Sequence, residues 1–376
     1  MKNISKFKVD NTILISIIIM AIISVISIKM AQIYLPNYMQ DLFIKQIFWY
    51  ISGFVVAYSL MFFGNDFIYK NAYILYIIGN ISLILVLIFG KEINHITAWF
   101  EIPGIGTIQP SEFMKIFLII TLARLIYEFK ERFNNPSIKD ELYLLLKVLV
   151  LVLIPSLLTF IQPDTGVVII YLFITLVMLF TSGIRLRWFF IIFGGLFLIV
   201  SVILIIFFTN QDLFIKLFSS SLFYRIDRLL DWSSTSGMQL NNSLIAIGQA
   251  GLLGNGMYSN PIYFPEGQTD FIFASYSSNF GLLGSLFLII IILFFNLRLI
   301  NTAIKSNNIM NKFIISGIIG MLLYQQIQNI SMTIGILPIT GITLPFISYG
   351  GSSLLSYMFM IGIIFNITNE NIRYTN

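Results

Sequence analysis

Of the 376 residues, 57% are hydrophobic and only 10% charged, where a water-solvated domain carries about a quarter charged residues. That balance excludes an ordinary soluble fold and points to a chain that lies almost wholly in a membrane. The formal charge of +5 sits in short loops between apolar runs, where orientation bias accounts for it and nucleic-acid binding does not. There is no cysteine and one histidine, His95. This excludes disulfides, thiolate metal sites, cysteine nucleophiles and histidine metal clusters, and His95 itself reads as an ordinary loop residue.

A membrane helix needs about 20 mostly apolar residues. Runs of that kind fall at 11–28, 47–63, 71–90, 111–127, 142–161, 166–182, 188–208, 274–297, 313–333 and 350–367. They predict an all-α polytopic membrane protein with about ten transmembrane helices, a single membrane domain over 1–376. No A-x-A-like cleavage site follows the first run, so it reads as a retained helix. An even count puts both termini on one side. With cytoplasmic termini, the lysines and arginines of inner loops outnumber the outer ones by fourteen to seven, as the positive-inside bias requires.

Residues 209–273 form a connection far longer than the usual few residues. It holds Trp232, Tyr258, Tyr263 and the apolar stretch "SLIAIGQAGLLGNG", poor material for disorder. The expectation is a large extracellular loop folded as a cap with short helices. Two further outer segments are expected to be structured. One is 91–110; the other is 334–350, "IGILPITGITLPFISYG", where proline and glycine break an apolar run. Such a segment suggests re-entrant backbone, tolerated where protein buries it or it lines a wet cavity. Neither a 20–50-residue repeat nor inverted symmetry is visible.

A charge inside a membrane span is costly and marks function by default. In "QPSEFMKIF", Pro110 suits the first helical position and Ser111 is available as a cap. Glu112 and Lys115 follow at i and i+3, close enough to pair. The plain reading is a first-turn Glu favoured by the helix dipole, with a snorkelling Lys115. The functional one is a cation offered to an anionic ligand. In "FIQPDTGVVII", Asp164 is placed to cap the next helix. In "PEGQTDFIFAS", Thr269 or Asp270 is placed to cap the run that follows, with Glu266 four residues earlier. Arg225 and Arg228 bring cations to the same loop, with Asp227 and Asp231 as available pairs. No Walker or dinucleotide motif accompanies these acids, and the glycines of "GQAGLLGNG" do not follow a strand in a βαβ unit.

Taken together, "QPSEFMK", "QPDTG", "IAIGQAGLLGNG…PEGQTDFIFA" and "GITLPFISYGGSSLL" resemble one family in order and over nearly the whole chain. It is the SEDS family of bacterial cell-wall synthesis, with RodA, FtsW and SpoVE as its branches. The lead-in "MTIGILPITGI" looks more RodA-like than FtsW-like. The resemblance implies a multi-pass protein of the bacterial cytoplasmic membrane, a peptidoglycan glycosyltransferase acting on lipid II at the outer face. It also implies a partner, a class B penicillin-binding protein. Carried over by position, the family's essential loop acid matches Asp270, and its membrane acid and lysine match Glu112 and Lys115. The Q-P-D acid matches Asp164, the outer-loop tryptophan Trp99, and Arg225 is the best match among the loop arginines. Departures stand at Ala98, where the family usually has arginine, and at Ser278 and Asn279, where it usually has two acids. The proline and acid usually found before the position of Gln239 are also missing.

The implied reaction joins one sugar's 4-hydroxyl to another's anomeric carbon and displaces undecaprenyl pyrophosphate. A hydroxyl is a poor nucleophile, so a carboxylate base is expected; Asp270 is the candidate. The leaving pyrophosphate calls for cations, from Arg225, Lys115 or a divalent ion such as Mg²⁺ or Mn²⁺, whose ligands the sequence does not name. Two other readings compete: a lipid II flippase, which would carry polar groups through the inner half of the helices, and a non-catalytic scaffold for the penicillin-binding protein, which the changed Ser278 and Asn279 favour. Membrane lipids surround the chain in every reading.

Overall fold

The structure, a computed structural model, describes residues 8–374 apart from 37–38, 94–95, 103–105, 219–222, 224–237, 258–261 and 264. In chain order the elements are α1 (Asn11–Ala31), α2 (Leu42–Phe63), α3 (Asn65–Lys70) and α4 (Ala72–Phe89). Three strands follow, β1 (Lys91–Ile93), β2 (Ile96–Ile102) and β3 (Gly106–Ile108). The chain continues through α5 (Pro110–Arg132), α6 (Ile138–Ile161), α7 (Thr165–Ser182), α8 (Arg187–Thr209) and α9 (Gln211–Phe218). It ends with α10 (Met238–Gln249), α11 (Ile272–Lys305), α12 (Ile309–Thr333) and α13 (Gly351–Tyr374).

Among the described residues nine helices are long and apolar enough to cross a membrane. With α5, which is long enough but more charged, they coincide with the ten expected spans. Each expected run lies inside its helix or within one residue of it. Several helices run on past the apolar stretch, because backbone hydrogen bonding stops at a cap and not where apolarity ends. The start of α6 shows this. Ser137 and Asp140 form a reciprocal capping box one turn before the apolar run.

Burial separates α5 from α8. Buried side chains surround α5 on nearly every face, from Pro110 to Phe129. A helix with Glu112 and Lys115 in its first turns belongs in that position, since neighbours and not lipid then meet its polar groups. By contrast α8 is the most apolar span, and only Phe189 and Phe207 are buried along it. Its remaining surface suits hydrocarbon.

Where the sequence predicts an all-α chain, residues 91–108 add a small antiparallel meander, β1-β2-β3. Lys91 pairs with Trp99 and Phe100 with Ile108. The β-branched and aromatic residues of "ITAWFEI" fit a pleated strand. The sheet lies at the end of the bundle where α5, α7, α11 and α13 begin. We call this the sheet end.

Within the long connection after α8, the described part contains α9 and α10. The glycine-rich turn after α10 docks into α11. There Asn255 N–H donates to Ser278 O at 3.0 Å and Gly256 N–H to Asn279 O at 3.2 Å. Leu282 and Leu283 donate back to Gly251 O and Leu252 O. These exchanges interrupt α11 at Gly281, whose φ of 64° is left-handed. A Cβ there would stand 2.3 Å from Gly254 N.

Segment 334–350 is non-helical, and its part 344–348 is buried: Leu344, Phe346 and Ile347 are each at most 1% exposed. Its carbonyls are met by polar side chains of the surrounding helices. Ser24 donates to Ile347 O at 2.7 Å and Gln46 to Ser348 O at 3.3 Å. Tyr50 donates to Phe346 O and Gln328 to Pro338 O. This matches the expectation of broken backbone buried in protein, and it shows what makes that backbone affordable inside a membrane. Phe346 sits at φ 64°, a conformation a bulky residue adopts only when its surroundings enforce it. Here Phe295 and Tyr357 pack on its ring.

Candidate active site

A cavity of about 760 Å³ opens at the sheet end. Lys45 and Trp49 of α2, Trp99 of β2, Glu112 of α5 and the start of α7 form its walls. The turn 265–271, segment 334–350 and the start of α13 complete it. Three acids singled out from the sequence, Glu112, Asp164 and Asp270, therefore meet in one space, with Glu266 beside them. Their helices all begin at this end of the bundle, so short polar turns in distant parts of the sequence converge.

Glu112 accepts from Lys115 Nζ at 2.7 Å, with the lysine side chain fully buried and the glutamate 9% exposed. The ammonium also lies 5.7 Å from the centroid of the Tyr357 ring, within cation–π range. Lys115 does not snorkel; it is the inner partner of a buried ion pair on the cavity floor. Ser111 does not cap α5. Gln109 occupies the cap position, Pro110 the first turn, and the Ser111 hydroxyl is buried without a partner.

Asp164 caps α7 through Val167 N–H at 3.2 Å. Its other oxygen accepts from Gln109 Nε2 at 2.8 Å, which joins the starts of α5 and α7. Burial, with Glu112 adding to it, raises the Asp164 carboxyl to about 6 against the Val167 bond.

Asp270 differs. The N-cap of α11 is Phe271, and no side chain caps that helix. The capping role expected for Thr269 or Asp270 is absent, and no hydrogen bond to the Asp270 carboxylate is found among the described residues. Burial raises its carboxyl to about 7, and the charges of Glu266 and Asp164 add to the effect. Its backbone is tightly held. Asn329 Nδ2 donates to Asp270 O and Ile342 O, each at 2.8 Å. Ser348 donates to Thr269 O at 2.6 Å, and Tyr349 N–H to Gln268 O at 2.9 Å. Glu266, at φ 57°, ties the turn together by accepting from Thr269 Oγ1 at 2.7 Å and Gln268 Nε2 at 3.2 Å. A fixed backbone thus carries an unspent carboxylate into a cavity.

Trp99 is on the cavity wall. Beside it, Ala98 is fully buried in β2, where an arginine would need a partner. Arg225 and Arg228 lie outside the described residues, as do His95, Trp232 and Tyr258. Ser278 and Asn279 are buried at the interruption of α11, where their carbonyls receive the glycine-rich turn, so neutral side chains suit the position. Asn329, Gln325 and Tyr357 also serve the site, and no motif in the sequence singles them out. The available signal was "YQQIQN", a run of amides inside an otherwise apolar span, costly in lipid unless each amide faces protein.

Helices and cavity together define a polytopic membrane protein with an acid-lined chamber at one end. A family model described as Cell cycle protein, covering FtsW, RodA and SpoVE, matches residues 8–373. The chain is 31% identical over 339 residues to the probable peptidoglycan glycosyltransferase FtsW of Buchnera aphidicola subsp. Schizaphis graminum, covering 87% of this chain and 90% of that one. It is 34% identical over 303 residues to stage V sporulation protein E of Bacillus subtilis, covering 78% and 77%. In fold it is similar to rod shape determining protein RodA of Thermus thermophilus, with a TM-score of 0.68 at 24% identity over 96% of this chain and 97% of that one. A chain from a peptidoglycan synthase complex that coordinates polymerization and crosslinking gives a TM-score of 0.79 at 24% identity, covering 97% and 99%. The chain belongs to the FtsW/RodA/SpoVE family. Because one family model spans all three branches, the RodA-like lead-in does not pick one.

Proposed function

We propose that the chain is a peptidoglycan glycosyltransferase that polymerises lipid II at the outer face of the bacterial cytoplasmic membrane, with Asp270 as general base. The observation that carries the assignment is the Asp270 carboxylate, uncapped, facing the cavity and raised to about 7. A base poised near the working pH combines a useful ionised fraction with a useful proton affinity. In the reaction, the 4-hydroxyl oxygen of one sugar bonds to the anomeric carbon of another. The bond from that carbon to the pyrophosphate oxygen breaks, the leaving group keeps the electron pair, and the hydroxyl proton passes to Asp270. The Glu112–Lys115 pair shapes the floor on which the charged end of the substrate rests. The cavity's position at a helix-bundle end suits a lipid-linked sugar, whose tail stays in hydrocarbon while its head enters water.

A divalent cation fits the chemistry of this wall, since Asp270 and Asp164 are oxygen donors of the kind Mg²⁺ takes. Among the described residues no three metal-ligating side chains stand together, so the substrate's phosphates would complete its shell. Once bound, it would neutralise charge on the leaving pyrophosphate. A class B penicillin-binding protein fits as the partner, given the likeness to a synthase complex that couples polymerisation to crosslinking.

A flippase reading is less well supported, because polar side chains at the opposite end of the bundle are spent on one another. Asn65 donates to Tyr69 and Ile363 O, Tyr69 to Asn311, and Asn366 to Asn65. Such a network clamps helices together and ties up these side chains. The deciding experiment is polymerisation of lipid II by the purified chain with its penicillin-binding partner. Asp270→Asn is expected to lower the rate by about 10²-fold or more with an unchanged melting temperature. Wild-type rates in that variant would remove Asp270 from the role.

A further inference from the structure

Of the buried side-chain atoms without a hydrogen-bond partner among the described residues, two belong to residues that line the cavity: Gln325 Oε1 and Thr340 Oγ1. Gln325, on α12, is 1% exposed. Its Nε2 donates to the Tyr357 hydroxyl at 2.9 Å, and the Tyr357 ring rests against Lys115 on the cavity floor. One end of the carboxamide is therefore committed, which fixes the plane of the amide and leaves its carbonyl oxygen as a preset acceptor. Thr340 stands on segment 334–350, the element that also receives the Asn329 bond shared with Asp270. A buried polar atom is normally paired; where two unpaired ones share the wall of one cavity, a ligand is the natural partner.

The chemistry of the pair narrows the ligand. Both groups are neutral, and a carbonyl oxygen only accepts. It repels a phosphate and matches an uncharged N–H or O–H donor. We propose that Gln325 and Thr340 form a sugar-reading subsite, in which Gln325 Oε1 accepts from a hydroxyl or acetamido N–H of a lipid-linked amino sugar and Thr340 bonds a neighbouring hydroxyl. The charged wall of Asp270, Asp164 and Glu112 serves the reacting end, and this pair sets the sugar's rotation over it. The inference rests on the glycan-polymerase reading above and adds substrate-contacting residues to it.

The test uses the full-length Asp270→Asn protein in detergent micelles, so that binding is read without turnover. Lipid II and sugar-free undecaprenyl pyrophosphate are titrated separately. Gln325→Leu and Thr340→Val in that background are each expected to weaken lipid II binding about tenfold, the size of one hydrogen bond. Affinity for undecaprenyl pyrophosphate is expected to hold. The melting temperature of Thr340→Val is expected to stay level or rise as an unpaired buried polar atom is removed, and that of Gln325→Leu to fall, because it also loses the bond to Tyr357. A merely structural Gln325 would lower the melting temperature and leave lipid II affinity unchanged. If Asp270→Asn binds lipid II and both further variants bind it equally well, the subsite is wrong and the polymerase reading stands. An equal loss for both lipids assigns the contact to the pyrophosphate and overturns the sugar role. If Asp270→Asn does not bind lipid II, the polymerase reading and the subsite fall together.

Discussion

Asp270 and Glu266 sit four residues apart on one turn and carry opposite duties. Glu266 spends its carboxylate on Thr269 and Gln268, while Asp270 keeps its own for the cavity. The sign of their coupling gives a pH prediction. Asp270 accepts a proton only when ionised, so kcat/KM is expected to rise with pH up to about 7 and level off above it. Glu266→Gln removes a like charge that raises the Asp270 carboxyl, so the midpoint is expected to move to lower pH. A pH–rate profile that stays in place in Glu266→Gln would show that the two carboxylates do not sense each other. The Glu112–Lys115 pair makes a different prediction. Lys115→Met leaves a buried carboxylate without its cation, which costs about 3–5 kcal/mol. Glu112→Gln added to it is expected to recover much of that stability without recovering polymerisation; thermal melting beside activity separates the two. From the sequence, the i,i+3 spacing made the pairing legible. Its depth was not legible, because a lysine near a helix end reads equally well as snorkelling until the neighbouring helices are placed around it.

At the scale of elements, the spans were the most legible part of the fold, since about 20 apolar residues in a row have few uses other than crossing a membrane. The polar connections were less so. Strand β2 was hidden because a seven-residue run of mixed aromatic and β-branched residues between two spans carries no periodicity long enough to read. The interruption of α11 was hidden too. Gly281 lies in a run that reads as continuous with the span, and only the docking of the turn after α10 shows that two backbones meet there. Gly281 and Gly254 both have positive φ, and a Cβ on Gly254 would lie 2.1 Å from Asn279 O. Alanine at either position therefore meets backbone, which cannot rotate away. Gly281→Ala and Gly254→Ala are each expected to cost roughly 2 kcal/mol or more, read as a fall in melting temperature in micelles. Gly194→Ala, at a site with open space around its Cβ, is expected to leave it unchanged.

Over the whole molecule, the cavity acids Glu112, Asp164 and Asp270 lie at one end of the bundle, and an amide–tyrosine network that runs on to Glu370 lies at the other. That polarity means something only if the sheet end faces outward. The charge bias supports this orientation. Arg185 and Arg187 approach Glu141 at 3.6 and 3.9 Å at the end opposite the sheet, where the positive-inside rule puts cations in the cytoplasm. The family motifs located the cavity acids from sequence alone because each lies in a short polar turn at a span boundary. The wall that completes the cavity comes from buried amides in α12 and from β2, whose roles exist only once the helices are packed. The absence of cysteine makes the orientation directly testable, since a single introduced thiol is the only one in the chain. Glu101→Cys, at an exposed ion pair of the sheet, is expected to react with a membrane-impermeant maleimide in intact spheroplasts. Lys139→Cys, in the exposed first turn of α6, is expected to react only after the membrane is opened. The reverse pattern would put the Asp270 cavity on the cytoplasmic side, where a polymerase of exported lipid-linked sugars would find no substrate, and the proposed function would fall with the orientation.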